Sequence, residues 1–130
     1  MATLPVEVVY GSSNDPSRPP ACAISTKSFW ITTGMFPQSL VIRLLKPALA
    51  ARIRLSAISV GKVRIEGSGS ESGDSFTQLG EAPRFGSNWE STEVSLRLSS
   101  TPLHYLRLTL ENSPDSPAFS AIRGVQILAN

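Results

Sequence analysis

Apolar and polar residues alternate with a period of two along most of this chain. In 51–60, ARIRLSAISV, Ile53, Leu55 and Ala57 fall on one side and Arg52, Arg54 and Ser56 on the other. In 62–67, KVRIEG, Val63 and Ile65 oppose Lys62, Arg64 and Glu66. In 91–99, Val94, Leu96 and Leu98 oppose Glu93, Ser95 and Arg97, and in 105–111, Leu106, Leu108 and Leu110 oppose Arg107 and Thr109. Successive side chains of a strand point to opposite faces, so each segment predicts a strand with one buried face. LPVEVVY (4–10), SLVIRLL (39–45) and FSAIRGVQILA (119–129) add further strands, the last with Gly124 predicting a bulge or bend. The run 41–55 has helical composition, but Pro47 would break a helix at its middle, so it reads as strand, short loop, strand. Gly61 separates two strands by too short a gap for a helical crossover.

Between the strands lie turn-rich segments. GSSNDPSRPP (11–20) holds three prolines that exclude a regular element, and ENSPDSP (111–117) is a second turn cluster. Residues 67–89 read as one long loop, rich in Gly and Ser at its start and carrying Phe76, Leu79, Phe85 and Trp89. Many short strands with one apolar side each must cover that side with a second sheet. The expected fold is all-β, an antiparallel jelly-roll β-sandwich forming one domain over 1–130.

Composition narrows the functional classes. With 130 residues, 41% hydrophobic and 17% charged, the chain can build one core. A net charge of +2 is not the concentrated basic field of a nucleic-acid binder. The single cysteine, Cys22, forbids an internal disulfide and suits a cytosolic setting. MATLPVEVVYG has no basic region followed by a long apolar run, so neither a signal peptide nor membrane insertion is expected. His104 and Cys22 have no catalytic or metal-binding neighbours in sequence, and Cys22 reads as a small buried residue. GSGSESG (67–73) precedes no apolar helix, which excludes a phosphate cradle on context. The acidic residues Glu71, Asp74, Glu81 and Glu90 read as solvated charges, and no catalytic set assembles.

The stretch FWITTGMFPQSLVI (29–42) contains no charge at all. Phe29 and Trp30 suit a core plug, Gly34 a positive φ, and Pro37 the start of the next strand. SFWITTGMFPQSLVI, preceded by SSNDPSRPP and followed by YLRLTL, resembles the twenty-five-kilodalton subunits of the intraflagellar transport B complex, small heat-shock-like in name. The TTGMFPQ segment (32–38) is the most specific part. The wider pattern is similar to galactose-binding-domain-like or discoidin jelly rolls. The resemblance implies a non-catalytic subunit that forms a heterodimer with a small Rab-like GTPase, contacts other transport-complex proteins, and works in the cilium or flagellum and in the cytoplasm near the basal body. The alternative it implies is a discoidin-type module binding carbohydrate or lipid head groups. It also implies a family calcium site, whose matching run here is PPACAISTKSFW (19–30). Cys22 stands where the family has Asn, and Ser28 replaces Thr, leaving Asn14, Asp15 and Ser28 as candidate ligands. No carboxylate lies between Asp15 and Phe29, so no metal or cofactor is expected. For partner binding, the expectation is a loop patch around Trp89, with Met35, Phe36, Phe76, Leu79 and Phe85 as apolar contributors and Arg52, Arg54, Arg64 and Arg97 around it.

Overall fold

A computed structural model describes residues 2–33, 36–86, 88–111 and 119–129. The strands are β1 (Ala2–Thr3), β2 (Val6–Gly11), β3 (Trp30–Thr33), β4 (Gln38–Ala48), β5 (Arg52–Ile58), β6 (Lys62–Ser68), β7 (Thr77–Ala82), β8 (Glu90–Ser95), β9 (Leu103–Glu111) and β10 (Phe119–Ala129). One short 3-10 helix spans Pro20–Ile24. Among the described residues no helix is long and apolar enough to cross a membrane.

Two antiparallel sheets form a jelly-roll sandwich. The first runs β8–β5–β10, with β1 and β3 paired end to end along the remaining edge of β10. The second runs β2–β4–β9–β6–β7. Strands alternate between the sheets along the chain, with β6 and β7 as the neighbours that share one. The Gly61 gap is therefore a corner: Ser59–Gly61 carries the chain from the first sheet into the second. Its backbone groups find distant partners, Ser59 N–H on Gly86 and Gly61 N–H on Glu111.

The alternating positions meet between the sheets. Ile53, Leu55 and Ala57 from β5 and Ile122 and Ile127 from β10 face Leu40, Ile42, Val63, Ile65, Leu106, Leu108 and Leu110 from the second sheet, all buried. Each Val, Leu or Ile among them contributes about 1.5–3 kcal/mol of apolar burial. Pro47 lies within β4, at a point where pairing has lapsed on both sides. The β2 register ends at Leu44, and the β9 register breaks between Arg43 and Ala48, so the missing N–H costs no ladder bond. Gly124 has φ +64 and marks the register shift between Arg123 and Gln126, the bulge its sequence position predicts.

Four expectations change. The 67–89 segment contains a strand, β7, paired with β6. Its polar sequence hid this strand because only Leu79 and Ala82 face the core. Strand β8 stops at Ser95, so the alternation through 91–99 fails at its end: Leu96 is buried, but Leu98 is 67% exposed. Of the aromatic pair, Trp30 alone plugs the core; its indole N–H donates to Ser13 O at 2.9 Å, while Phe29 points outward. Cys22 is half-buried on the 3-10 helix, and Ala23 beside it is the buried residue. His104 sits half-buried on β9. Gly34 and Met35 lie outside the described residues.

Candidate functional site

The outward face of the first sheet divides into two zones. At one end, β5 presents Arg52 and Arg54, and across the β5–β8 register Glu93 answers both. Arg52 lies 3.1 Å and Arg54 2.8 Å from its carboxylate. Ser56 and Ser91 share a 2.7 Å hydroxyl contact next along. The two guanidiniums hold the Glu93 carboxyl below its usual range, chiefly through the Arg54 hydrogen bonds. The pairs are solvent-exposed, so water and salt screen them and they add little to stability.

At the other end the same face turns apolar and aromatic. Register pairs Ile31, Ala121 and Ile58 in one row, all on the outward side. Trp89 precedes β8 on this side, and Phe29 precedes β3. Their rings meet edge to face, with centroids 5.7 Å apart and planes at 61°. The Arg123 guanidinium carbon stacks 4.1 Å from the Trp89 ring centre, and that of Arg18 lies 4.7 Å from the Phe29 centre. The result is a ladder, Arg18–Phe29–Trp89–Arg123, drawn from four separate parts of the chain. The bulge at Gly124 positions its last member, and Gly124 N–H donates to Ser25 O at 2.8 Å, tying β10 to the loop that delivers Phe29.

The residues expected to form one partner patch do not all share a surface. Arg52, Arg54 and Trp89 lie on the outward face of the first sheet. Arg64 is on the outward face of the second sheet, 3.3 Å from Glu111 in a charge contact without hydrogen-bond geometry. Arg97 is exposed beyond β8, where its N–H bonds Leu79 O, beside a groove lined by Gly69, Thr77 and Leu98. The aromatic loop residues also separate. Leu79 and Phe85 are in the core, and Phe76 lies under Arg107 on the second sheet, 4.3 Å from its guanidinium. Phe36 packs against the core and Met35 lies outside the described residues. Sequence reasoning missed Arg18, Phe29 and Arg123 as companions of Trp89. Phe29 carried a signal, because the strand period puts it opposite the buried Trp30; the arginines carried none.

The second sheet's outward face is an ion-pair lattice. Arg107 grips Glu66 through two bonds of 3.1 and 3.0 Å, Lys62 lies 3.6 Å from both Glu81 and Glu111, and Arg43 pairs with Glu7. Arg107's hydrogen bonds are the chief cause holding the Glu66 carboxyl below its ordinary range, against the opposing effect of burial.

The calcium candidates do not fit that ion. Asp15 is the single carboxylate in 12–29. Its Oδ1 accepts the Ser17 hydroxyl at 2.7 Å and the Ser17 N–H at 2.9 Å, and these bonds, the hydroxyl first, hold its carboxyl below the usual range. Asn14 is exposed on a shallow groove beside Tyr10 and Pro20, and Ser28 N–H bonds Ser25 Oγ. Calcium takes six to eight oxygens with several carboxylates, and this donor set supplies too few. Among the described residues no three His, Cys, Asp or Glu side chains gather to hold a metal.

No family model matches this sequence. Two curated proteins do. The chain is 34% identical over 76 residues to Intraflagellar transport protein 25 of Chlamydomonas reinhardtii, covering 57% of this chain and 40% of that protein. It is 35% identical over 74 residues to the human Intraflagellar transport protein 25 homolog, covering 55% and 51%. The match spans about half the length of these relatives. In fold, the chain is similar to the Clostridium perfringens domain CpGH89CBM32-5, solved in complex with GalNAc-β-1,3-galactose. The TM-score is 0.76, with 16% identity over 98% of this chain and 100% of that one. The protein is thus an antiparallel jelly-roll sandwich, similar in fold to a galactose-binding-like domain, that over a little more than half its length is similar to Intraflagellar transport protein 25.

Proposed function

We propose that this chain is a non-catalytic interaction subunit of the intraflagellar transport B complex. It pairs with a small Rab-like GTPase, contacts other transport proteins, and acts in the cilium or flagellum and in the cytoplasm around the basal body. The observation that carries this reading is the 34–35% identity to Intraflagellar transport protein 25 in two distant organisms. The outward face of the first sheet supports it physically. It joins a charged zone at Arg52 and Arg54 to a half-buried aromatic zone at Trp89, the composition of an interface centre with a polar rim. The carbohydrate-binding alternative asks for an open ring face, and here Arg123 covers one face of Trp89.

Co-expression with the Rab-like GTPase subunit, followed by size-exclusion chromatography, tests the reading. A stoichiometric complex is expected. Arg52→Glu combined with Arg54→Glu should weaken it while far-UV circular dichroism stays unchanged. Failure to co-elute, together with binding on a glycan array, would replace the subunit reading by the sugar-binding one.

A further inference from the structure

Resting on that reading, we infer that the Arg18–Phe29–Trp89–Arg123 ladder is a docking site for an acidic protein segment that carries apolar residues between its carboxylates. The charge pattern carries the argument. Arg43, Arg52, Arg54, Lys62, Arg64 and Arg107 each have a carboxylate partner. Arg18 and Arg123 do not, among the described residues: each is spent on an aromatic ring instead. Asp15, the acid nearest Arg18 in sequence, feels its charge but accepts its chief hydrogen bonds from Ser17 and makes no ion pair with the guanidinium. Lys27, exposed two residues before Phe29, adds a third cation at this end of the sheet. Lys46 and Arg97 also stand outside the ion pairs, but neither stacks on an aromatic ring.

Stacking sets what these guanidiniums can still do. A guanidinium lying on a ring uses its π face and keeps its five N–H donors in the plane, in a fork that matches a carboxylate. Arg18 commits one of its donors, Nη1, to Ser17 O at 2.9 Å. Each cation is thus held by its ring with donors in hand and, among the described residues, no acid in an ion pair with it. Between them, Phe29, Trp89, Ile31 and Ile58 are half-buried, leaving apolar surface for the partner's apolar side chains. Charge complementarity selects an acidic occupant, and the apolar floor selects a peptide over a simple anion. A membrane surface is the poorer fit, because basic segments that hold anionic lipid gather roughly four to eight cations.

The full chain is titrated into a fluorescent peptide of alternating Glu and Leu, its Gln-for-Glu counterpart, and phosphatidylserine vesicles. The Glu peptide is expected to bind, more weakly as salt rises, and the Gln peptide and vesicles are not. Arg18→Gln with Arg123→Gln should weaken Glu-peptide binding by on the order of tenfold or more, and Arg97→Gln should leave it unchanged. If the double variant does not fold, Arg18→Lys with Arg123→Lys, which keeps the charge and removes the fork, should still weaken binding. Equal binding of the Gln peptide, undiminished binding by the arginine variants, or preference for vesicles overturns the inference. Co-elution with the GTPase is read separately: a complex that forms while the Glu peptide fails removes this site and leaves the subunit reading standing.

Discussion

Trp89 and Trp30 should respond very differently to truncation, and the difference measures whether the ladder exists. Trp30 is fully buried with its indole N–H on Ser13 O. Trp30→Ala should cost about 3–5 kcal/mol from the cavity alone, before the lost hydrogen bond. Trp89 is half-buried, with Arg123 on its face and Phe29 at its edge. The edge-to-face pair contributes about 0.5–1.5 kcal/mol, and an exposed cation–π contact about 0.5–1 kcal/mol. With partial apolar burial added, Trp89→Ala should cost about 2–3 kcal/mol. A double-mutant cycle isolates the stack: Trp89→Ala, Arg123→Gln and the pair are unfolded in urea and followed by circular dichroism. Removing both should cost less than the sum of the single changes, with a coupling of roughly 0.5–1 kcal/mol. With a urea slope of about 1–3 kcal/mol/M, the Trp89→Ala midpoint should fall by roughly 0.7–3 M. Zero coupling would refute the stacked arrangement. A Trp89→Ala cost equal to that of Trp30→Ala would show that Trp89 is a core residue and that this face is no docking surface.

Three other outcomes are expected. Because Arg107 lowers the Glu66 carboxyl from its ordinary 4.5, the associated stabilisation is present above that value and is lost as pH falls through the lower folded one. Urea titrations from neutral to acidic pH should therefore show a smaller acid loss in Glu66→Gln than in the parent chain, and parallel curves would refute the assignment. Gly124→Ala should destabilise by about 1–2 kcal/mol, since Gly124 holds φ +64 in open space and only the backbone penalty applies; an unchanged melting curve would show that the bulge relaxes. Adding calcium should leave thermal unfolding unchanged, and a chelator-reversible rise of several degrees would show that Asn14, Asp15 and Ser28 recruit ligands beyond those seen here.

The strand period determined much of this molecule locally. A side chain's face depends only on its parity within a strand, so the burial of Ile53, Leu55, Ala57, Val63, Ile65, Leu106, Leu108 and Leu110 could be read from the chain alone. The bulge at Gly124 was legible for the same reason, because one residue without a Cβ interrupts a regular run. Strand β7 was not, since TQLGEA sits at a sheet edge and buries too few side chains to leave an alternating mark. Sheet membership could not be read either. Strands β5 and β6 look like hairpin partners across Gly61, yet they belong to opposite sheets, and alternation is identical whichever sheet a strand joins. That choice decided the candidate site. It sent Arg64 to one outer face and Arg52 and Arg54 to the other, and it brought Arg18, Phe29, Trp89 and Arg123 together from distant parts of the chain. Parity is a property of neighbouring residues, whereas a surface cluster depends on which remote strands pair, and that is set by the joint packing of both sheets around one core.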